Sequence, residues 1–227
     1  MYKNIEILDK EKLKGFKFDE VNTILVAKSI GLIPLGFSEV WTAAHDCPVI
    51  INSLDRGEFT AFTGITTELN IYNKENAYIP AFVRTYPFLS VDIKNEEGTF
   101  SSVISIDNNS QYVSKKKKEN IFTKDKQLSE NVNSKVETIR ELNRQRDISR
   151  KIVQELKEND LLIKKDFKVK NNDIEKTFLE EFYIVDVKKL VNIEDSIIAS
   201  WAKKGWMGII DAHIKSLSNF PKVLSGK

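Results

Sequence analysis

The sequence holds one cysteine, Cys47, and two histidines, His45 and His213, among 227 residues. A single cysteine excludes an intrachain disulfide framework and fits a reducing compartment. With two histidines and no H-x-x-x-H, C-x-x-C or paired carboxylate–histidine spacing, no metal motif is recognisable. A 2-His-1-carboxylate iron site would have to draw both histidines from distant segments. Glycine is sparse as well, at nine residues, and neither G-x-G-x-x-G nor G-x-x-x-x-G-K-S/T occurs, so no standard phosphate loop is present. No stretch approaches the roughly 18 apolar residues of a spanning helix. The charged N-terminus lacks the apolar core of a signal peptide. The expectation is a cytoplasmic protein with no membrane span, no metal and no cofactor.

What is there suits a folded chain with a heavily charged surface: 41% apolar and 30% charged residues, with a formal net charge of +2. That balance selects no strong partner by itself. The basic middle of the chain, Lys115–Lys118 with Arg140, Arg144, Arg146 and Arg150, is interleaved with Glu137, Glu141, Asp147 and Glu155. Lacking aromatic stacking partners, it reads as a solvated loop and helix face rather than a nucleic-acid interface.

Along the chain, Thr23–Ile30 is continuous and β-branched, which predicts a buried strand. Ser38 is placed to cap a short helix over 39–45, ending before Pro48. Val49–Ile51, the Asp55-Arg-Gly57 turn and Phe59 onward predict a hairpin over 49–63. A second hairpin pairs Leu89–Ile93 with Phe100–Ile106 around a turn at Glu96–Gly98. From Ser129 the apolar residues Val132, Val136, Ile139 and Leu142 step as a helix stripe, resumed by Ile148, Ile152, Val153 and Leu156. Leu161–Asn172 is left without an element. Tyr183–Asp186 predicts a strand returning to the sheet. Two helices follow, striped by Ile193, Ile197, Ile198 and Trp201 and then by Trp206, Ile209, Ile210, His213 and Leu217, with Gly205 between them.

The stretch with most chemical content is Tyr78-Ile-Pro-Ala-Phe-Val-Arg-Thr-Tyr-Pro-Phe88. It packs aromatic side chains and two prolines around one arginine, and suits either a rigid corner or the wall of a binding site. Arg84 is the sharpest candidate in it: a guanidinium there can clamp a carboxylate or stack on a ring, or else pair with a buried acid such as Asp107. His213 lies on an apolar helix face, where a satisfied, buried imidazole is the plain reading and proton transfer the bolder one. Cys47 reads as a small buried thiol rather than a nucleophile served by His45.

Taken in order, these segments resemble the SapC family. The family pattern close to Y-V-P-A-Y-L-R-R-Y-P-F stands here as Tyr78–Phe88. Ile33-Pro-Leu35, Ala43-Ala44, Cys47-Pro-Val-Ile50, Ser105-Ile-Asp107, Glu181-Phe-Tyr-Ile-Val-Asp186 and Ala212-His-Ile-Lys-Ser-Leu217 supply the remaining matches. Three departures stand out: Thr85 where the pattern has a second arginine, Cys47 in place of tyrosine, and Glu181 in place of glycine. The resemblance implies a place beside bacterial surface-layer export through a type I (ABC-transporter) pathway. No molecular activity is established for the family, so it transfers no catalytic residue.

The expected architecture is α+β: a mostly antiparallel sheet with a long central helix and a C-terminal helix pair packed on one face. It is read as one domain over 1–227, sheet-rich at 20–110, with a lysine-rich connection at 111–128 and helix at 129–160. A strand and the C-terminal helices occupy 178–220. The resemblance implies a soluble accessory protein that binds an exported surface-layer protein or an ABC-transporter component. The alternative is a peptide-modifying or small-acid-acting enzyme with a pocket around Arg84, Tyr86 and His213. Candidate ligand- or client-binding residues are Tyr78, Arg84, Tyr86, Asp107 and His213.

Overall fold

The computed structural model describes residues 1–74, 76–94, 100–171 and 174–225. The chain opens with β1 (Ile5–Ile7), β2 (Lys17–Phe18), α1 (Thr23–Lys28), β3 (Leu32–Pro34), α2 (Val40–Asp46), β4 (Val49–Ile51) and β5 (Phe59–Phe62). Next come α3 (Ala81–Arg84), β6 (Phe88–Lys94), β7 (Phe100–Asp107), β8 (Val113–Ser114), β9 (Glu119–Asn120) and the long α4 (Glu130–Glu158). It ends with β10 (Leu162–Asn171), β11 (Ile174–Val185), α5 (Val187–Leu190), α6 (Asp195–Lys203), α7 (Trp206–Ser216) and α8 (Phe220–Ser225). The fold is α+β with antiparallel sheets. Its residues gather into two compact units, 1–27 with 81–143 and 28–80 with 144–227.

In the first unit β1 pairs with β7 and β7 with β6, aligning Ile5 with Asp107 and Phe88 with Ile106. A smaller sheet places β2 between β8 and β9. The core joins Leu13, Phe18, Phe88, Ile106, Val113 and Ile121 to Val132, Val136 and Ile139 of α4. Those helix residues recur at four- and three-residue steps, so one stripe meets the core while Glu137 and Arg140 pair on the solvent side. Phe18 and Phe88 meet edge to face at 5.5 Å.

The second unit is built on a five-stranded sheet in the order β10-β11-β4-β5-β3. Its centre is dry: Val49, Ile50, Ile51 and Phe59 are fully buried. The hairpin predicted over 49–63 is present, with Val49 opposite Ala61. The late strand does return to the sheet, Tyr183 lying opposite Ile51. Helix α7 lies against α2, β11 and β4. Phe220 of α8 packs on Phe62, Phe167 and Phe182.

Three local expectations are corrected. Residues 23–28 form α1 rather than a strand, and Ile24 and Leu25 are exposed. The deciding signal precedes the apolar run: the Asn22 side chain accepts the Leu25 N–H at 3.1 Å, capping a helix start. Ser38 does not cap α2; its N–H and hydroxyl both donate to Gln145, while Glu39 folds back onto the Gly36 N–H. The stretch after Leu161, left unassigned, is β10, whose lysines and Asp166 mask a strand paired along β11. The turn expected at 96–98 lies outside the described residues.

Chain ends of the long elements follow known stop chemistry. At the end of α4, Asp160 adopts φ 54°. Leu161 N–H then reaches the Leu156 carbonyl and Asp160 N–H the Lys157 carbonyl, a Schellman closure. Gly205, at φ 73°, separates α6 from α7.

Glu181 explains one departure from the family pattern. It sits in the left-handed region at φ 56°, where the pattern has glycine, beside the register shift between Lys165 and Phe167. Its N–H is held by Asp166 Oδ1 at 2.9 Å, and its exposed side chain pairs with Lys164. Glu181→Gly removes the Cβ clash at the loss of one surface ion pair, for a net gain of about 0.5–1 kcal/mol. Urea unfolding reads this directly, and an unchanged or lower midpoint would contradict the strain assignment.

Candidate functional site

The segment from Tyr78 to Phe88 is divided by the unit boundary, which falls between Pro80 and Ala81. Its first part is fastened to α2 within the second unit. The Tyr78 hydroxyl donates to Glu39 Oε1 at 2.8 Å, and its N–H donates to Asp46 Oδ2 at 2.9 Å. The Tyr78 carbonyl accepts from the Tyr72 hydroxyl at 3.2 Å. Burial raises the Tyr72 phenol well above its usual pKa, which keeps it a donor.

The remainder forms α3 and the Tyr86-Pro87 bond, which is cis. Arg84 is exposed at the end of α3, and Lys135 Nζ donates to its carbonyl at 2.8 Å. A lysine there meets the carbonyls that a helix end leaves unpaired. Two residues on, the Tyr86 hydroxyl donates to Asp107 Oδ2 at 3.1 Å. Asp107 is fully buried. Its carboxylate also takes the Lys3 N–H at 3.1 Å, the Asn4 N–H at 3.0 Å and the Asn109 N–H at 3.3 Å. The acceptor capacity expected to bind Arg84 or a ligand is therefore filled from the N-terminal segment, the neighbouring Asn109 and the motif's own tyrosine. Tyr2 completes the cluster, its ring 5.5 Å from Tyr86 and 6.0 Å from Phe82. Burial holds the phenols of Tyr2 and Tyr86 above their ordinary range, so neither offers a phenolate.

His213 belongs to the second unit and is fully buried on α7. Val185 N–H donates to its Nε2 at 3.1 Å, and its Nδ1 donates to the Val49 carbonyl at 2.7 Å. Only the neutral ring protonated on Nδ1 satisfies both contacts. Burial lowers its pKa to about 4. One turn on, Ser216 Oγ accepts the Val49 N–H at 2.8 Å and donates to the His213 carbonyl. Both polar groups of Val49 are thus held from α7.

The structure brings Tyr86 and Asp107 into contact. Tyr78 is committed to α2, His213 to β4 and β11, and Arg84 faces solvent. Cys47 is buried, its thiol 3.5 Å from the Ala43 carbonyl and its pKa raised by desolvation. Among the described residues no group of three His, Cys, Asp or Glu is placed to hold a metal ion. Three partners escaped the sequence reading. Tyr2 carries no local signal, and that of Glu39 is confined to its fold-back onto the Gly36 N–H; the contacts of Glu39 with Tyr78 and of Tyr2 with Tyr86 and Phe82 come only with the tertiary fold. Ser216 lay inside a quoted motif, three residues after His213, a spacing that places both on one helix face.

A family model described as SapC matches residues 8–223. No curated protein and no solved structure matches the chain. Among the described residues no helix is long and apolar enough to cross a membrane.

Proposed function

The chain belongs to the SapC family, and from that premise we propose that it is a cytoplasmic binding protein rather than a catalyst. It serves the secretion of a surface-layer or other exported protein through a type I, ABC-transporter pathway. Its partner is the exported polypeptide or a component of the transporter. One observation carries the choice of binding over catalysis: the polar groups a reaction would recruit are spent inside the fold. Tyr78, Tyr86, Asp107 and His213 each have a structural partner at hydrogen-bond distance. The enzyme reading around Arg84, Tyr86 and His213 requires a titrating imidazole within reach of substrate, and a fully buried ring donating to Val49 argues against it.

Gene deletion tests the process. Loss of the exported surface protein from the cell exterior, restored by the wild-type gene, is the expected result; unchanged export would end this reading. In-cell crosslinking followed by capture identifies the client or transporter component.

Arg84 tests the site. Because its side chain is exposed, Arg84→Ala is expected to change stability by no more than about 0.5 kcal/mol. Reduced export with an unaltered unfolding midpoint would assign Arg84 to the partner surface. A large loss of stability would make it part of the corner instead.

A further inference from the structure

An open cleft of about 690 Å³ lies within the second unit, a size inside the 300–1,000 Å³ common for ligand sites. The turn between β4 and β5 forms one wall with Leu54, Asp55 and Arg56, and α4 forms another with Arg150, Lys151 and Glu155. Lys204 and Trp206, at the junction of α6 and α7, close the end. Gly57 lets the turn approach α4, since a Cβ there would meet the Arg150 Cα at 3.3 Å, and its φ is 59°.

The charges of the cleft differ in how they are held. Glu58 is buried and accepts from Arg146 at 2.5 Å and Arg150 at 3.3 Å. Arg150 also donates to Asp147 and to the Arg56 carbonyl, so its guanidinium is fixed in the wall. Lys204 pairs with Glu155 at 3.1 Å and stands 4.2 Å over the Trp206 ring. Trp201 Nε1 donates to the same Glu155 carboxylate. Arg56 and Lys151 are different: both are exposed, and among the described residues neither side chain has a hydrogen bond or ion pair. The lining thus contains four cations and two carboxylates, Asp55 and Glu155, with two of the cations uncommitted.

We propose that this cleft binds an acidic stretch of polypeptide, with Arg56 and Lys151 receiving its carboxylates. The two lining carboxylates decide between anionic partners. A nucleic-acid backbone carries closely spaced charge with no donors along it, and would be repelled by Asp55 and Glu155. An extended peptide alternates its side chains and supplies backbone N–H groups, so it can offer carboxylates to the cations and donors to Asp55, while Glu155 stays with Lys204 and Trp201. The preformed Arg150–Glu58 framework gives the cleft a fixed wall without using the two free cations. The proposal rests on the cleft alone and does not require the export reading.

The test is fluorescence anisotropy of labelled hexaglutamate against the full chain, with hexaglutamine as the neutral probe. Arg56→Ala/Lys151→Ala removes the free cations and touches no internal partner; circular dichroism checks its fold. Lys124→Ala/Lys188→Ala removes the same charge from exposed positions outside the cleft. The expected result is salt-sensitive binding of hexaglutamate, weakened roughly tenfold in the first variant and less than about twofold in the second. Absence of hexaglutamate binding, or equal loss in both variants, would overturn the proposal. So would tighter binding of an oligo-dT probe that is lost in the first variant, which would give the cleft to phosphates. No secretion is measured, so failure here leaves the export reading standing and failure there leaves this one.

Discussion

Asp107→Ala is expected to destabilise the first unit by about 3 kcal/mol, against about 1 kcal/mol for Tyr86→Phe. The carboxylate is fully buried and gathers the N–H groups of Lys3, Asn4 and Asn109 with the Tyr86 hydroxyl. Hydrogen bonds to an ionised acceptor contribute more than neutral ones, and donors left behind in a buried site lose their partner without regaining water. Tyr86→Phe removes one donor and leaves the three amides in place, so its effect is smaller. In Asp107→Ala the second substitution should add almost nothing, because the partner is already gone. Guanidinium unfolding of the two single variants and the double variant measures this coupling. Full additivity would mean that the 3.1 Å contact contributes nothing to stability. Limited proteolysis gives a second readout: release of Lys3 and Asn4 should expose the N-terminal segment to cleavage ahead of the rest of the unit.

This result bears on what the motif resemblance signifies. The segments that carry it meet one another across the fold. Tyr86 of the central motif binds Asp107 of the Ser105–Asp107 match. Val49, in the Cys47–Ile50 match, is held on both polar groups by His213 and Ser216 of the Ala212–Leu217 match. Of these, Tyr86, Asp107 and His213 read in sequence as candidate site residues because polar side chains in apolar company suggest chemistry. In space they satisfy buried backbone groups, which every compact fold has to do.

Hydrophobic period was enough to place the two hairpins, both stripes of α4, the strand at Tyr183 and the C-terminal helices. It failed where period carries little information. The apolar run at 23–28 is too short to tell strand from helix, and Asn22 decided it. The charged β10 holds its place through the long pairing with β11 rather than through its own pattern. Arg56 and Lys151 could not have been joined before folding, since a turn and the far half of α4 bring them to one cleft.

His213 supplies the second large effect, a loss of stability on mild acidification. The neutral ring holds β4 and β11 together where the two strands are registered at Tyr183 and Ile51. Its pKa is about 4 in the folded protein, against 6.5 for the free side chain. Between those values the unfolded chain carries the extra proton, so each downward step in pH favours unfolding. The stability tied to this residue is complete above about pH 6.5 and falls by roughly 3 kcal/mol on approaching pH 4. Protonation would also turn Nε2 from acceptor to donor against the Val185 N–H, setting two donors face to face in a site without water access. His213→Leu breaks both bonds and should cost about 2–4 kcal/mol at pH 7. The same variant should flatten the dependence on pH between 6.5 and 4, because it removes the titrating group while the carboxylates remain. Urea unfolding of both proteins at pH 7 and pH 5 separates the two consequences. Equal slopes for wild type and variant would show that the imidazole titrates normally, and would reopen His213 to a role in proton transfer.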